Sequence, residues 1–413
     1  MLAQTDPPDA VTLPFLPWDP KLVWKVNRVL FQWLQVALRV APKLMRDWAV
    51  RRILKSRRKG VDTTVVNNIN YGSPRPGKRL DVYRATPSPN HADLATRQSS
   101  PSPPTPSSPT VSRKLGSSST ILPAPGIGES MGDLVLSRNT AGEGNNLSPV
   151  IVFFHSPQLG PIKGKKWMYE TLGRNLADKG YTVVIPDLTF YPEGKAKAMV
   201  QDVRRVLNWT MINIRRYGGD PFQIHVMGHS LGGHLALLTV LQEAIVLSRD
   251  KIDDPGVEMA NGLRELKIYD RAVRVPPIQG LILLAPICNV NDQVIGETMR
   301  GVSHLSKLRR ILGPSHTRAM FHSPVHVLHA ARNVIDPNLL PPKILFVHGG
   351  LDEEVSYLQS VLMKELMNGV GLPFVHCKIY PLGHVDVVTA LMMNQDEPHS
   401  SSIHDDLNAF MAL

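Results

Sequence analysis

Gly228-His229-Ser230-Leu231-Gly232 constrains this chain more than any other stretch, because of what flanks it. Residues 222–227 form a short, mainly apolar run that predicts a buried strand. Residues 231–247 continue with apolar positions on most faces, which predicts a helix. On such a strand-to-helix turn only small residues fit beside the serine, so its hydroxyl stands clear of the backbone. It also stands at a helix N-terminus, where amide groups favour negative charge. Ser230 is therefore the candidate nucleophile.

A serine in this setting needs an acid and then a histidine further along the chain. Lys343-Ile344-Leu345-Phe346-Val347-His348-Gly349-Gly350 predicts a buried strand that breaks at glycines, with Asp352 just beyond it. Residues 374–380 predict a last strand, and Pro381-Leu382-Gly383-His384 turns out of it. His384 is positioned to take the proton from Ser230 and return it to a leaving group. Asp352 would hold the imidazole in one tautomer and stabilise its cation. Taken singly, Asp352 also fits a turn residue and His384 a surface histidine; it is the order of the three that selects the catalytic reading.

The charge has one address. The chain carries a formal net charge of +11, and the segment between Lys21 and Lys59 holds twelve Lys or Arg against one acid, Asp47. The remainder is balanced, so the basic character says nothing about the catalytic part. Within the segment, polar residues fall at Lys21, Lys25, Arg28, Gln32, Gln35, Arg39, Lys43 and Arg46, with Leu, Val, Trp, Phe, Ala and Met between them. That spacing predicts an amphipathic helix with a narrow basic stripe, a broad apolar face and a kink at Pro42, anchored by Trp24, Trp33 and Trp48. The uncharged run 29–38 is too short to span a bilayer, and the segment is too charged for a secretory signal. Residues 1–60 are thus expected to meet an anionic membrane surface, helped by Arg51-Arg52 and the cluster 55–59. Packing of the helix on the catalytic domain is the alternative. No recognition module accompanies the charge, so no nucleic acid is expected.

Residues 61–71 and 78–85 predict paired strands around Gly72-Ser73-Pro74. Residues 86–147 are dense in Ser, Pro, Thr and Gly, and cannot bury enough apolar surface to fold. They are expected to be a disordered insertion within a catalytic domain of residues 61–413, either passive or phosphorylated at its Ser-Pro and Thr-Pro steps. From Pro149 onward strands and helices alternate: strands at 150–154, 182–186 and 281–285, helices at 165–179, 195–217 and 356–368. Alternation of this kind predicts an α/β fold, a mostly parallel sheet with helices on both faces. Active groups at carboxyl ends of strands fit that class. Two excursions, 248–277 and 288–340, are placed to overhang the serine as a cap. At 43% hydrophobic residues the chain can build a sizeable core. Its two cysteines, Cys288 and Cys377, lie in apolar runs and argue against a disulfide framework.

Four stretches carry a family resemblance. They are Ile185-Pro186-Asp187 with Phe190-Tyr191-Pro192-Glu193-Gly194; the helix of Asp202 ending in Tyr217-Gly218-Gly219-Asp220-Pro221; Met227-Gly228-His229-Ser230 with Gly232-Gly233-His234; and Leu340-Pro341-Pro342 leading to His348-Gly349 and Asp352. With them the chain resembles the α/β-hydrolase superfamily from about residue 61 onward, apart from the insertion. Within it the chain is most similar to the esterase branch of the isoprenylcysteine methylesterases, with kynurenine formamidases nearby. The resemblance implies a serine hydrolase acting through an acyl-enzyme on a lipophilic carboxylic ester, a prenylcysteine methyl ester being the sharpest candidate. An arylformamidase-type amidase is a further option. Plant members of the group are membrane-associated, which implies an intracellular, peripherally membrane-associated chain, with the endoplasmic reticulum and Golgi as candidate sites.

The departure from that family lies at the oxyanion hole. The amide of Leu231 should supply one donor, and a His-Gly-Gly stretch after the third strand usually supplies the other. Here that stretch reads Phe154-His155-Ser156-Pro157-Gln158-Leu159-Gly160. Pro157 has no amide hydrogen and the close-approach glycines are missing, so the Ser156 or Gln158 amide is the expected donor, with Gly160 and Gly164 as sources of flexibility. Losing one donor costs about 2.7 to 4 kcal/mol of transition-state stabilisation. A membrane-tethered, weakly active or inactive hydrolase-like scaffold is therefore the alternative reading. Asp187 and Asp202 are expected to fix loops, and His155 and His229 to shape the site. His322, His326 and His329 share a face if helical, yet no carboxylate or cysteine completes a metal set. No cofactor or metal is expected, and no oligomeric state is implied.

Overall fold

A computed structural model describes residues 20–57, 64–86, 147–159, 162–252, 264, 266, 272–304, 306–312, 316–392 and 399–413. Ten strands lie among them: β1 (Val65–Ile69), β2 (Leu80–Tyr83), β3 (Ser148–Phe154), β4 (Gln158–Leu159), β5 (Ile162–Lys163), β6 (Thr182–Pro186), β7 (Gly219–His229), β8 (Gly280–Leu284), β9 (Lys343–Gly349) and β10 (Phe374–Tyr380). Eight form one sheet in the order β1-β2-β6-β3-β7-β8-β9-β10, and β4-β5 is a separate two-stranded hairpin. Pairs β1-β2 and β2-β6 are antiparallel, and from β6 to β10 the sheet is parallel. The central strands β6 and β8 are buried along their whole length. Continuous Val, Ile and Leu runs are what a strand covered on both faces requires.

The helices are α1 (Pro20–Arg57), α2 (Glu170–Asp178), α3 (Ala196–Asn213), α4 (Leu231–Asp250), α5 (Val290–Met299), α6 (Leu308–Leu312), α7 (His316–Phe321), α8 (Pro324–Ala331), α9 (Leu358–Gly369), α10 (Asp386–Met392) and α11 (Ser400–Ala412). They divide between two cores. One packs Val203 and Leu207 of α3, Leu238 and Leu241 of α4, Leu328 of α8 and Met363 of α9 against the sheet. The other holds Leu172 and Leu176 of α2, Val387 and Leu391 of α10 and Phe410 of α11, together with Val40 of α1. Helices thus cover both faces, as the alternation predicts.

Differences from expectation are local. The helix expected over 165–179 begins as a 3-10 turn, Lys166–Tyr169, and the one over 195–217 ends in another, Ile214–Tyr217, closed by Gly218 at φ 88. Helix α1 runs on through Pro42 and includes Arg51, Arg52 and Lys55. Nearly all of the Ser/Pro-rich insertion, 87–146, lies outside the described residues, whereas Thr86 donates its amide to Ala177 O at 3.0 Å. The excursion 288–340 folds into α5 to α8, with Asn289 capping α5 by accepting from the amides of Asn291 and Asp292.

Register decides where the chemistry collects. Phe154 of β3 pairs with Gly228 of β7, His229 with Leu284 of β8, Leu284 with Val347 of β9, and Gly349 with Tyr380 of β10. The carboxyl ends of these strands therefore finish level. The loops bearing Ser156, Ser230, Asp352 and His384 leave the sheet along one edge.

Candidate active site

Ser230 occupies the turn between β7 and α4 at φ 54 and ψ −121. A non-glycine residue there stores roughly 1 to 3 kcal/mol of strain, which the surroundings must hold. Two backbone bonds do so: the Ser230 amide donates to Leu284 O and the His234 amide to Ser230 O, each at 2.9 Å. Gly232 is obligatory for steric reasons, since a Cβ there would lie 2.1 Å from Phe154 O. Gly232, two residues after the serine, thus lets the turn press against the end of β3.

The three sequence-predicted residues meet. Ser230 Oγ donates to His384 Nε2 at 2.9 Å, and His384 Nδ1 donates to Asp352 Oδ2 at 2.7 Å. The donor assignment follows from chemistry: an ionised carboxylate only accepts, so Nδ1 carries the proton and leaves Nε2 to accept from the hydroxyl. Asp352 Oδ1 accepts the amides of Glu354 and Val355, both at 2.8 Å. Burial would raise the Asp352 carboxyl, but His384 and His348 beside it outweigh burial and hold it well below the usual carboxylate range. For His384 burial works downward, and the charges of Asp352 and Glu354 overcome it to leave the imidazole more basic than usual.

His229 is fully buried and its Nε2 donates to His384 O at 3.1 Å, with the two rings 5.0 Å apart. Burial, and next the neighbouring His384, push it down to about 3, so it stays neutral. That is the site-shaping part expected of it. His155 stacks on Tyr169 at 5.2 Å and donates from Nδ1 to its neighbour Ser156 O at 2.8 Å.

The loop after β3 is held without the usual glycines. Ser156 is buried, and the β4-β5 hairpin folds back so that Gly164 N donates to Pro157 O at 2.9 Å. A Cβ on Gly164 would lie 2.2 Å from Ser156 O, so this glycine supplies the close approach that the loop itself lacks. Gln158 begins the hairpin with an exposed side chain and its amide 3.5 Å from Ser156 Oγ. Gly160 lies outside the described residues. Leu231, buried at the first position of α4, follows Ser230 directly.

The remaining sequence candidates do other work. Asp187 Oδ1 accepts the Lys166 amide at 3.0 Å, and Asp202 ties Ser73 Oγ and the Thr189 amide at 3.0 and 2.9 Å. His322 precedes α8 while His326 and His329 lie on it, so the three do not share one helix face. His326 pairs with Ser323 Oγ and His329 with Arg332, both at 2.9 Å. The sequence places His348 on the strand before Asp352 but assigns it no task. Its Nε2 donates to Asp352 Oδ2 at 3.1 Å. The signal was present in the spacing, a histidine on the strand four residues before the acid.

Helix α1 packs beside these loops. Val26 and Val40 are buried, Gln32 Nε2 donates to Glu353, and Arg28 and Arg39 lie 3.7 Å from Glu353 and Asp386. Both acids are near the chemistry: Glu353 follows Asp352, and Asp386 accepts the amide of Gly383 at 3.1 Å.

With this geometry the chain compares as follows. It matches the BD-FAE family over residues 139–367, more than half of its length. It is 37% identical over 99 residues to the probable isoprenylcysteine alpha-carbonyl methylesterase ICMEL1 of Oryza sativa subsp. japonica, covering 24% of this chain and 23% of that protein. It is 26% identical over 225 residues to esterase LipQ of Mycobacterium tuberculosis, covering 54% of this chain and 47% of that protein. The chain thus spans about a quarter to a half of the length of these curated relatives. The crystal structure of esterase B from Lactobacillus rhamnosis is similar with a TM-score of 0.53 at 16% identity, over 95% of this chain and 96% of that one. That likeness is one of fold.

Proposed function

The chain belongs to the BD-FAE family, of α/β-hydrolase type, and from that premise we propose that it hydrolyses carboxylic esters through an acyl-enzyme on Ser230. The hydrogen-bonded run from Ser230 Oγ through His384 to Asp352 Oδ2 carries the reading. Ser230 Oγ attacks the ester carbonyl carbon as its proton passes to His384 Nε2. The carbonyl oxygen takes up the charge against the amide of Leu231 and a second amide from the Ser156 to Gln158 loop. The C–O bond then breaks, His384 protonates the departing alcohol, and the acyl group remains on Ser230. Water, losing a proton to the same imidazole, adds to the acyl carbon and releases the acid with Ser230 restored. Because the base must be neutral, kcat/KM should rise with pH through an imidazole pKa above the ordinary 6.5.

The substrate class is a lipophilic ester. Support for a prenylcysteine methyl ester comes from the printed name of the rice relative, and support for a membrane-borne substrate comes from α1. One stripe of that helix packs on the domain, while Trp24, Phe31, Leu34 and Leu38 are more than half exposed beside the basic stripe. An apolar stripe flanked by Lys and Arg fits an anionic bilayer surface.

The test is turnover of nitrophenyl esters of graded acyl length and of a prenylcysteine methyl ester, wild type beside Ser230→Ala. The variant should lose on the order of 10^4-fold or more in kcat. Equal, negligible turnover of both chains, with no fluorophosphonate label on Ser230, would replace the enzyme by a hydrolase-like scaffold; turnover of an arylformamide alone would make it an amidase. Flotation with anionic vesicles should separate the full chain from one lacking residues 1–60.

A further inference from the structure

The carboxylate of Asp352 faces two histidines, and only one of them points toward the nucleophile. Ser230, His384, Asp352, His348 and Ser360 form one hydrogen-bonded chain with successive distances of 2.9, 2.7, 3.1 and 2.7 Å. Asp352 Oδ2 stands at its centre, with a Ser–His pair on each side. His348, on β9, and Ser360, on α9, are both fully buried, so the second pair cannot meet a substrate.

The protons on this inner arm can be placed. His348 Nε2 lies 3.1 Å from Asp352 Oδ2 and 3.0 Å from Val355 O, two acceptors, so it carries a hydrogen shared between them. His348 Nδ1 is then free to accept from the Ser360 hydroxyl. The Glu354 and Val355 amides fix Asp352 Oδ1, and by themselves they leave Oδ2 free to swing about that point. His348 supplies the missing constraint from the sheet rather than from the loop.

We propose that His348, braced by Ser360, is a positioning residue for ester hydrolysis: it sets where Asp352 Oδ2 stands, and through it the orientation of His384, while sharing the carboxylate's charge. The proposal rests on the acyl-enzyme reading of Ser230. Two consequences follow from it. A base displaced by even about 1 Å loses on the order of 100-fold in rate. A carboxylate relieved of one donor also acts more strongly on the imidazole that remains, which makes that imidazole more basic. The other titratable groups facing His384 are Glu354, Arg300 and the neutral His229. Substitution at 348 leaves all three in place.

The experiment uses the full chain with His348→Asn, His348→Gln and Ser360→Ala, active sites being counted with a fluorophosphonate. Asparagine places an amide near Nδ1 and nothing at Nε2; glutamine restores a donor at Nε2. His348→Asn should lower kcat per labelled site on the order of 10- to 100-fold with KM changed less than about twofold, and should move the acidic limb of kcat/KM to higher pH. His348→Gln should recover most of both, and Ser360→Ala should shift both in the same direction by less. A role confined to folding would change the number of labelled sites and leave the rate per site and the pH limb alone. Wild-type rate per site and pH limb in His348→Asn, or equal impairment in His348→Gln, overturns the proposal. If the residue 348 variants fail to melt cooperatively, Ser360→Ala decides by the same readouts. The low-field proton resonance of His384 Nδ1 separates this from failure of the hydrolase reading, since it needs no substrate. A wild type without turnover, in which His348→Asn still raises the titration midpoint of that resonance, refutes the hydrolase and keeps the positioning role.

Discussion

Helix α4 buries apolar side chains on nearly every side, whereas α1 buries one stripe and leaves another in water. By length and composition α4 could cross a membrane, with a mean hydropathy of 1.5, yet 89% of that stretch is buried within the protein. Helix α1 carries a basic or polar residue every three or four positions and would fail such a test. Even so, it exposes Trp24, Phe31, Leu38 and Met45, which recur every seven residues, while Leu22, Val26, Val29, Trp33, Val36 and Val40 turn inward at spacings of three and four. Hydropathy measures how much apolar surface a helix has. What matters for a partner is how much is left once the fold has taken its share.

The largest expected effect tests the interior half of that comparison. Leu238→Ala in α4 should cost about 2 to 5 kcal/mol in a urea titration, since the side chain is fully enclosed. Leu38→Ala in α1, where the leucine is 66% exposed, should change stability by about 0.5 kcal/mol or less. Similar losses at the two sites would break the comparison. Next in size is vesicle binding: the triple change Trp24→Ser, Phe31→Ser, Leu38→Ser should weaken partition onto anionic vesicles at least about tenfold while leaving the melting temperature unchanged. Unchanged partition would mean that the exposed stripe is not the lipid-facing one. The smallest effect concerns the seam between helix and site. Arg28→Ala removes an ion pair to Glu353 that is more than half exposed at both ends, so denaturant stability should move by about 0 to 1 kcal/mol, and less in high salt.

Legibility followed the same division. Ser230 could be read because its evidence is local: a strand, a pair of glycines and a helix in adjoining residues. Asp352 could be read because it follows the continuous apolar run of β9, and His384 because it turns out of the last strand, although His376 and Lys378 interrupt that strand's apolar residues. His348 was visible as a letter but not as a function. Its partner Ser360 sits on the next helix, and its link to His384 exists only because β9 and β10 run parallel in register from Lys343 opposite Phe374 to Gly349 opposite Tyr380. The loop after β3 was legible only in part. Gly164 was expected only as a source of flexibility, yet, reached through a hairpin that periodicity did not predict, it packs on the Ser156 carbonyl. In α1 the pattern revealed the apolar and basic stripes, and it could not divide the apolar side into a covered and an uncovered half.

The sequence by itself determined the alternation of strands and helices, the mostly parallel sheet with helices on both faces, the three candidate site residues and the location of the charge. Each of these depends on the side-chain period of a strand or helix, or on steric limits at a single turn, and such rules act between neighbours in the chain. Tertiary structure alone decided that five residues form one proton-linked chain, that the Ser156 loop is held by a glycine several residues on, and that α1 lies beside Glu353 and Asp386. Those outcomes are distances between groups far apart in sequence. They are fixed by sheet register and by which apolar surfaces cover one another, quantities that no local pattern contains.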